Sequence, residues 1–214
     1  MQYRRVEFFG LPGVGKTHLT NLLCQTYPDL ETFVLPNKPA TWYEKIYDYP
    51  FHFKYFRLFQ QVQKEPEYKK ILTRLKRIAR RKPYIRQNTH CILLECGLLQ
   101  PTLEAIMLHK NIQEIAHWQS FLDDVIFSDQ HYIYITDQIE TIVHREYTRA
   151  NRRFTLDSNT LLKCYTSTIP IIEYLKAKTS FTQFDRTDYP DDQLLIKELY
   201  RTLQNVLSLP TQSN

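Results

Sequence analysis

The chain is poor in glycine, with four in 214 residues. It carries no internal repeat and no low-complexity segment, so repeat arrays and flexible linkers are excluded, and only the terminal PTQSN reads as a frayed tail. Its four cysteines, Cys24, Cys91, Cys96 and Cys164, form no C-x-x-C pair and have mostly apolar neighbours. That argues against a disulfide framework or a thiolate metal site and for buried, reduced thiols. No run of about 18 apolar residues occurs, so no membrane span is expected. Met1 precedes a charged segment and then a glycine loop, which leaves no stretch for a secretory or transit signal. The expected location is therefore cytoplasmic, where ATP is. Charge of neither sign dominates: the net value of +5 suits an anionic small substrate or weak attraction to nucleic acid, and decides between neither.

Three of the four glycines, Gly10, Gly13 and Gly15, fall together in FFGLPGVGKTHLT. Glycine serves where the backbone turns through positive φ or approaches a ligand closely. Gly10, four intervening residues, Gly15, Lys16 and Thr17 reproduce the phosphate-loop spacing G-x-x-x-x-G-K-[ST]. That loop needs a strand before it and a helix after it. YRRVEFF sets Val6 and Phe8 on one face of a strand, and KTHLTNLLCQTY spaces Leu19, Leu22 and Leu23 on one face of a helix that Pro28 stops. The backbone of Gly10, Gly13, Val14 and Gly15, with Lys16, Thr17 and His18, is the expected triphosphate cradle. The helix N-terminus adds the positive end of its dipole. Lys16 is expected on the β and γ phosphates and the Thr17 hydroxyl on Mg2+.

Length and a 43% hydrophobic content fit one α/β domain. ETFVLP reads as a second strand, and residues 40–88 run helical and aromatic. Within them Tyr68, Ile71, Leu72, Leu75, Ile78 and Ala79 follow one buried helix face. The opposite face is basic, from Lys69 to Lys82, and is either a solvated surface or a contact for an anionic substrate or nucleic acid. HCILLECG suits a buried parallel strand. Residues 101–124 suit one or two helices, HYIYIT a further strand, and DQIETIVHREYTRANRRF a helix burying Ile139, Ile142, Val143 and Tyr147. A helix over 158–177, the strand FTQF and a closing helix over 191–207 complete the pattern. Strands alternating with helices predict a parallel sheet covered on both faces, with ligand at the strands' carboxyl ends.

Two further groups could do chemistry there. Glu95, just before Gly97, is the first charge after CILL, placed to hold a Mg2+ hydration shell or to take a proton from an attacking hydroxyl; the alternative is a capping or solvated glutamate. Arg145, Arg149 and Arg152 are spaced to share a face if the helix continues that far, and Arg153 adds a fourth. Planar guanidinium forks suit phosphate, whose transfer relies on positive charge around the moving group. Pairing with Glu140 or Glu146 on a surface helix is the competing explanation.

Taken together, GLPGVGKT, CILLECG and YIYITDQIETIVHREYTRANRR resemble the small-molecule kinases of the P-loop class, the nucleoside and nucleotide kinase-like group. The resemblance implies a five-stranded parallel sheet in the order 2-3-1-4-5, a helical substrate-binding insertion at about 40–88, and a short arginine-bearing lid at about 148–158. It implies that Arg145 leads into the lid, that Arg149, Arg152 and Arg153 approach the phosphates on closure, and that the loop around Arg186 to Asp188 lies near the base. The sequence departs from the pattern after Glu95: Cys96 and Gly97 stand where thymidylate and deoxynucleoside kinases carry an arginine, which leaves the acceptor open. The lid is too short for the zinc-bearing type.

The resulting expectation is an ATP- and Mg2+-dependent phosphotransferase acting on a small hydroxyl or phosphate acceptor, with Lys16, Glu95, Arg149 and Arg153 catalytic. A homodimer is compatible with it. The alternative is a P-loop ATPase or nucleotide-binding protein acting on nucleic acid or as a regulator. A GTPase is disfavoured because NKPA lacks the aspartate of N-K-x-D and comes too early.

Overall fold

A computed structural model of the chain describes residues 5–28, 30, 32–33, 60, 63, 67–87, 92–94, 97–108, 115–150, 154 and 156–207. The strands are β1 (Arg5–Phe9), β2 (Thr32–Phe33), β3 (Ile92–Leu94), β4 (Gln130–Thr136) and β5 (Ser180–Asp185). The helices are α1 (Lys16–Thr26), α2 (Tyr68–Gln87), α3 (Leu99–Met107), α4 (Ile115–Val125), α5 (Ile139–Thr148), α6 (Ser158–Thr166), α7 (Ile169–Lys178) and α8 (Asp192–Leu207). All strand pairs are parallel and the order is β2-β3-β1-β4-β5. The expected strand in ETFVLP is described at Thr32 and Phe33, which pair with Leu93 and Leu94 at the sheet edge.

β1 lies at the centre because both its neighbours can pair with it along most of its length, Val6 with Leu93 and with His131. All five of its residues are buried. Val6 and Phe8 enter the core as expected, while Arg5 and Glu7 on the other face are buried charges that alternation alone would have sent to solvent. Arg5 donates to the Ile85 carbonyl and Asp129 and lies over the Phe127 ring. Leu19 and Leu23 of α1 and Ile71, Leu75 and Ile78 of α2 are fully enclosed. Each contributes about 1.5–3 kcal/mol by leaving water.

Several elements depart from the sequence reading. Residues 101–124 hold α3 and α4, within the expected one or two helices, and Pro101 lies inside the first turn of α3, where a missing N–H costs nothing. The helix expected over 158–177 is broken at Ser167 and Thr168 because Pro170, at the start of α7, has no N–H to continue the ladder. In α5, Ile142 and Val143 are buried, but Tyr147 is 40% exposed and Glu146 is buried in its place. α5 stops at Thr148 and Arg149 is already extended, so Arg149 does not continue a helical face from Arg145. Within the expected lid at about 148–158, Phe154 is buried. Cys24 and Cys164 are half-buried, and Cys91 and Cys96 lie outside the described residues. Of the predicted insertion, α2 is the part described as an element; most of residues 40–66 lie outside the described residues. Among the described residues no helix is long and apolar enough to cross a membrane.

Candidate functional site

The loop Gly10 to Gly15 joins β1 directly to α1 at the carboxyl end of the central strand. Gly15 is the N-cap of α1 and adopts φ 92° and ψ 18°, a left-handed conformation that other residues reach only with strain. A Cβ there would also fall on the Arg186 guanidinium. The helix begins at Lys16 with no acidic residue in its first turn, so its dipole is left uncompensated and favours an anion. Lys16 is buried, and its Nζ donates to the carbonyls of Gly10 at 2.9 Å and Leu11 at 3.1 Å. The ammonium is thus held at the inner wall of the loop.

Gly13, Gly15, Lys16, Thr17, His18, Arg145 and Arg149 line one cavity of 330 Å³. Five of the seven carry a polar or cationic side chain, and none is acidic. Arg145 and Arg149 reach it from different local structure: Arg145 from the last turn of α5, Arg149 from the extended residue that caps it. Arg145 donates to Asp137 at 2.6 Å, and Arg149 pairs with the buried Glu146 at 3.6 Å. Pairing with Glu146 was the competing explanation for Arg149. It coexists with a place in the cavity wall, since a carboxylate beneath a guanidinium orients it without removing its remaining donors.

The other expected residues divide. Gly10 belongs to the loop but turns its N–H inward, to Gln100 Oε1 at 3.1 Å. The Val14 side chain is fully buried in the core, and its carbonyl accepts from Arg186 at 3.0 Å. His18 is exposed and bonds Asp192 at 3.0 Å. Glu95, Arg152 and Arg153 lie outside the described residues. Among the described residues no cluster of three His, Cys, Asp or Glu could hold a metal.

Four features were not anticipated. Arg186 clamps the loop from the turn after β5, donating to Val14 and, at 2.6 Å, to Asp192. Tyr165 of α6 donates to the Pro12 carbonyl at 2.7 Å, fixing the outer bend of the loop. Glu7, fully enclosed on β1, accepts backbone N–H groups from Leu98, Leu99 and Gln100 at 3.1, 2.8 and 3.2 Å and the Gln130 amide at 2.9 Å. It therefore caps the start of α3 from the strand. Burial raises its carboxyl from 4.5 to about 7 against the pull of those four donors. Finally, the basic face of α2 is not simply solvated: Arg74 pairs with Glu104 at 3.2 Å, Lys82 with Asp124 at 3.5 Å, and the buried Arg81 donates to the Gly97 carbonyl at 3.3 Å. These contacts gave no pattern in the sequence, because strand alternation and helix period say nothing about which distant backbone group a side chain meets.

No protein-family model and no curated protein matches the sequence. Among solved structures, the chain is similar to deoxyadenosine kinase from M. mycoides with the products dCMP and a flexible dCDP bound. The TM-score is 0.61 at 13% identity, covering 94% of this chain and 100% of that one. The same enzyme with bound dATP aligns with a TM-score of 0.60 at 15% identity, covering 94% and 99%. With bound dCTP the TM-score is 0.58 at 13% identity. At such identities the likeness is one of fold alone.

Proposed function

We propose that this chain is an ATP-dependent phosphotransferase that moves the γ-phosphoryl group to a small acceptor bearing a hydroxyl or phosphate, with a nucleoside or nucleotide as the favoured class. The observation that carries the proposal is the convergence of the α1 N-terminus, Lys16, Arg145 and Arg149 on one cavity free of acidic lining. Phosphoryl transfer asks the protein chiefly to position groups and to surround developing charge with preorganised donors. Lys16 sits where the loop carbonyls hold its ammonium beside the helix N-terminus; the two arginines that line the same cavity supply bidentate donors.

Mg2+ fits this donor set in one respect that can be read directly: the side chain of Thr17, a hard oxygen donor at the helix N-terminus, opens on the same cavity. When bound, the ion would neutralise charge on the β and γ phosphates. Glu95 is the proposed second oxygen donor or the base for the acceptor hydroxyl, and Arg152 and Arg153 are the proposed further cations for the phosphates. The engagement of Arg74, Arg81 and Lys82 with internal partners favours a small acceptor over nucleic acid, since those cations are directed into the fold. The fold likeness to a deoxyadenosine kinase adds support for a nucleoside or nucleotide acceptor.

Incubation with Mg-ATP and pooled nucleosides, nucleotides and sugars, followed by product analysis, tests the reading. A phosphorylated acceptor is expected, and Lys16→Ala should abolish its formation while leaving the fold intact. Release of free phosphate alone would replace the transferase with an ATPase.

A further inference from the structure

Gly10 is held through both of the peptide units that flank its Cα. Its carbonyl accepts from Lys16 Nζ at 2.9 Å, and its N–H donates to Gln100 Oε1 at 3.1 Å. Gln100 lies in the first turn of α3, is 1% exposed, and uses its other end as well: Nε2 donates to Glu104 Oε1 at 3.0 Å. The amide orientation is fixed by chemistry, because the Gly10 N–H can only donate and the Glu104 carboxylate accepts. Glu104, itself 4% exposed, then accepts on Oε2 from Arg74 Nε of α2 at 3.2 Å. The backbone of Gln100 is pinned separately by Glu7. An unbroken polar chain therefore runs from a cation on the basic helix, through the two buried side chains of Glu104 and Gln100, to the N–H of the glycine whose carbonyl holds the lysine of the phosphate loop.

We propose that Gln100 is a positioning residue for the phosphate loop and that the Arg74–Glu104–Gln100 relay makes the nucleotide affinity of the loop depend on α2. A lone acceptor would have satisfied the Gly10 N–H; a relay ended by a charged pair also fixes the acceptor's rotamer, since Gln100 cannot turn without breaking its bond to Glu104. The Gly10 N–H lies in the Phe9–Gly10 peptide and the carbonyl in the next, Gly10–Leu11; the two planes meet at a Cα with no side chain to restrict its torsions, so the anchor on the first helps to set where the carbonyl points, and that carbonyl is one of two that hold the Lys16 ammonium. Release of the Phe9–Gly10 peptide frees the Gly10 torsions, and a turned carbonyl displaces the positive charge from its place beside the loop. α2 lies in the segment read as the acceptor-binding insertion, so a ligand that draws on Arg74 would be felt at the nucleotide through this route. The proposal rests on the nucleotide-binding reading of the loop.

The test measures Mg-ATP affinity of the full chain by calorimetry for the wild type, Lys16→Ala, Gln100→Leu, Arg74→Met and the double variant Arg74→Met/Gln100→Leu. Gln100→Leu keeps the volume but leaves the Gly10 N–H buried without its acceptor, and should weaken binding by about tenfold. Arg74→Met, whose side chain lies away from the loop, should weaken it by about threefold through loss of a charged hydrogen bond. The double variant should bind no more weakly than Gln100→Leu, because the relay is already cut. Simple destabilisation would instead add in thermal midpoint and leave affinity alone. Wild-type affinity in Gln100→Leu or Arg74→Met, or additive losses in the double variant, overturns the relay. Should Gln100→Leu fail to fold, Arg74→Met and Glu104→Gln decide the matter by the same measurement. If Lys16→Ala binds Mg-ATP as the wild type does, the phosphate-site reading itself fails and takes the relay with it; if Lys16→Ala loses binding while the relay variants keep it, only the relay is overturned.

Discussion

Replacing Glu7 by glutamine separates two opposed effects on a single buried carboxyl. Burial disfavours its charge, and four hydrogen-bond donors favour it; burial prevails and the group titrates near about 7 instead of 4.5. An acid whose folded value exceeds its unfolded value binds its proton more tightly in the folded chain. Between pH 4.5 and about 7 the folded state therefore carries the extra proton, and stability is lost as pH rises through that window. At about 1.36 kcal/mol per pH unit, the span from 4.5 to about 7 corresponds to about 3 kcal/mol. Glutamine cannot titrate, so the wild type's stability relative to Glu7→Gln should fall by about that amount from pH 4.5 to pH 8. The substitution has its own cost: each Glu7 oxygen meets two donors, so either amide orientation sets an NH2 against two N–H groups, at about 1–3 kcal/mol for each donor stranded. That cost is independent of pH and does not disturb the slope. Denaturant unfolding of both proteins at half-unit steps of pH gives the difference directly. A flat difference would refute the raised carboxyl, and a wild type that gains on the variant as pH rises would mean that the α3 N–H groups outweigh burial.

Gly97→Ala should lower the thermal midpoint, since a Cβ there falls on the Glu7 carboxylate; overpacking of this kind costs about 1–3 kcal/mol, and an unchanged midpoint would show that the α3 start can move aside. Arg145→Ala and Arg149→Ala should each reduce the transfer rate by about 100-fold with a much smaller loss of ground-state ATP affinity, because they meet charge that is greatest in the transition state; equal losses in both would make them simple binding residues. Glu95→Gln should reduce transfer by at least about 100-fold with ATP affinity little changed, and a rate within a few-fold of wild type would remove Glu95 as the base.

Local chemistry was legible in this sequence where one short segment contains everything that the function needs. The phosphate loop is such a case: glycines, lysine and threonine are consecutive, and the flanking apolar periods announce the strand and the helix. Helix faces were legible to within a residue, and failed where the chain ends a helix by geometry rather than by a breaker, as at Thr148, so that Glu146 takes the buried place assigned to Tyr147. The supports of the site were not legible, for a physical reason. Gln100, Glu7, Arg186 and Tyr165 each act on a backbone group 90 or more residues away, apart from the local step of Gln100 to Glu104. A buried glutamate on a strand reads as an error of alternation until α3 is seen to begin directly beneath it. The basic face of α2 misled in the same way: charge density suggested solvent or an anionic ligand, whereas Arg74 and Arg81 are held by acceptors that α3 and its approach bring to them. Where a polar residue is buried against the local period, the more informative question is which orphaned backbone donor or acceptor the topology sets opposite it. In this chain that question leads, through Glu7 and Gln100, from the centre of the sheet to the first glycine of the phosphate loop.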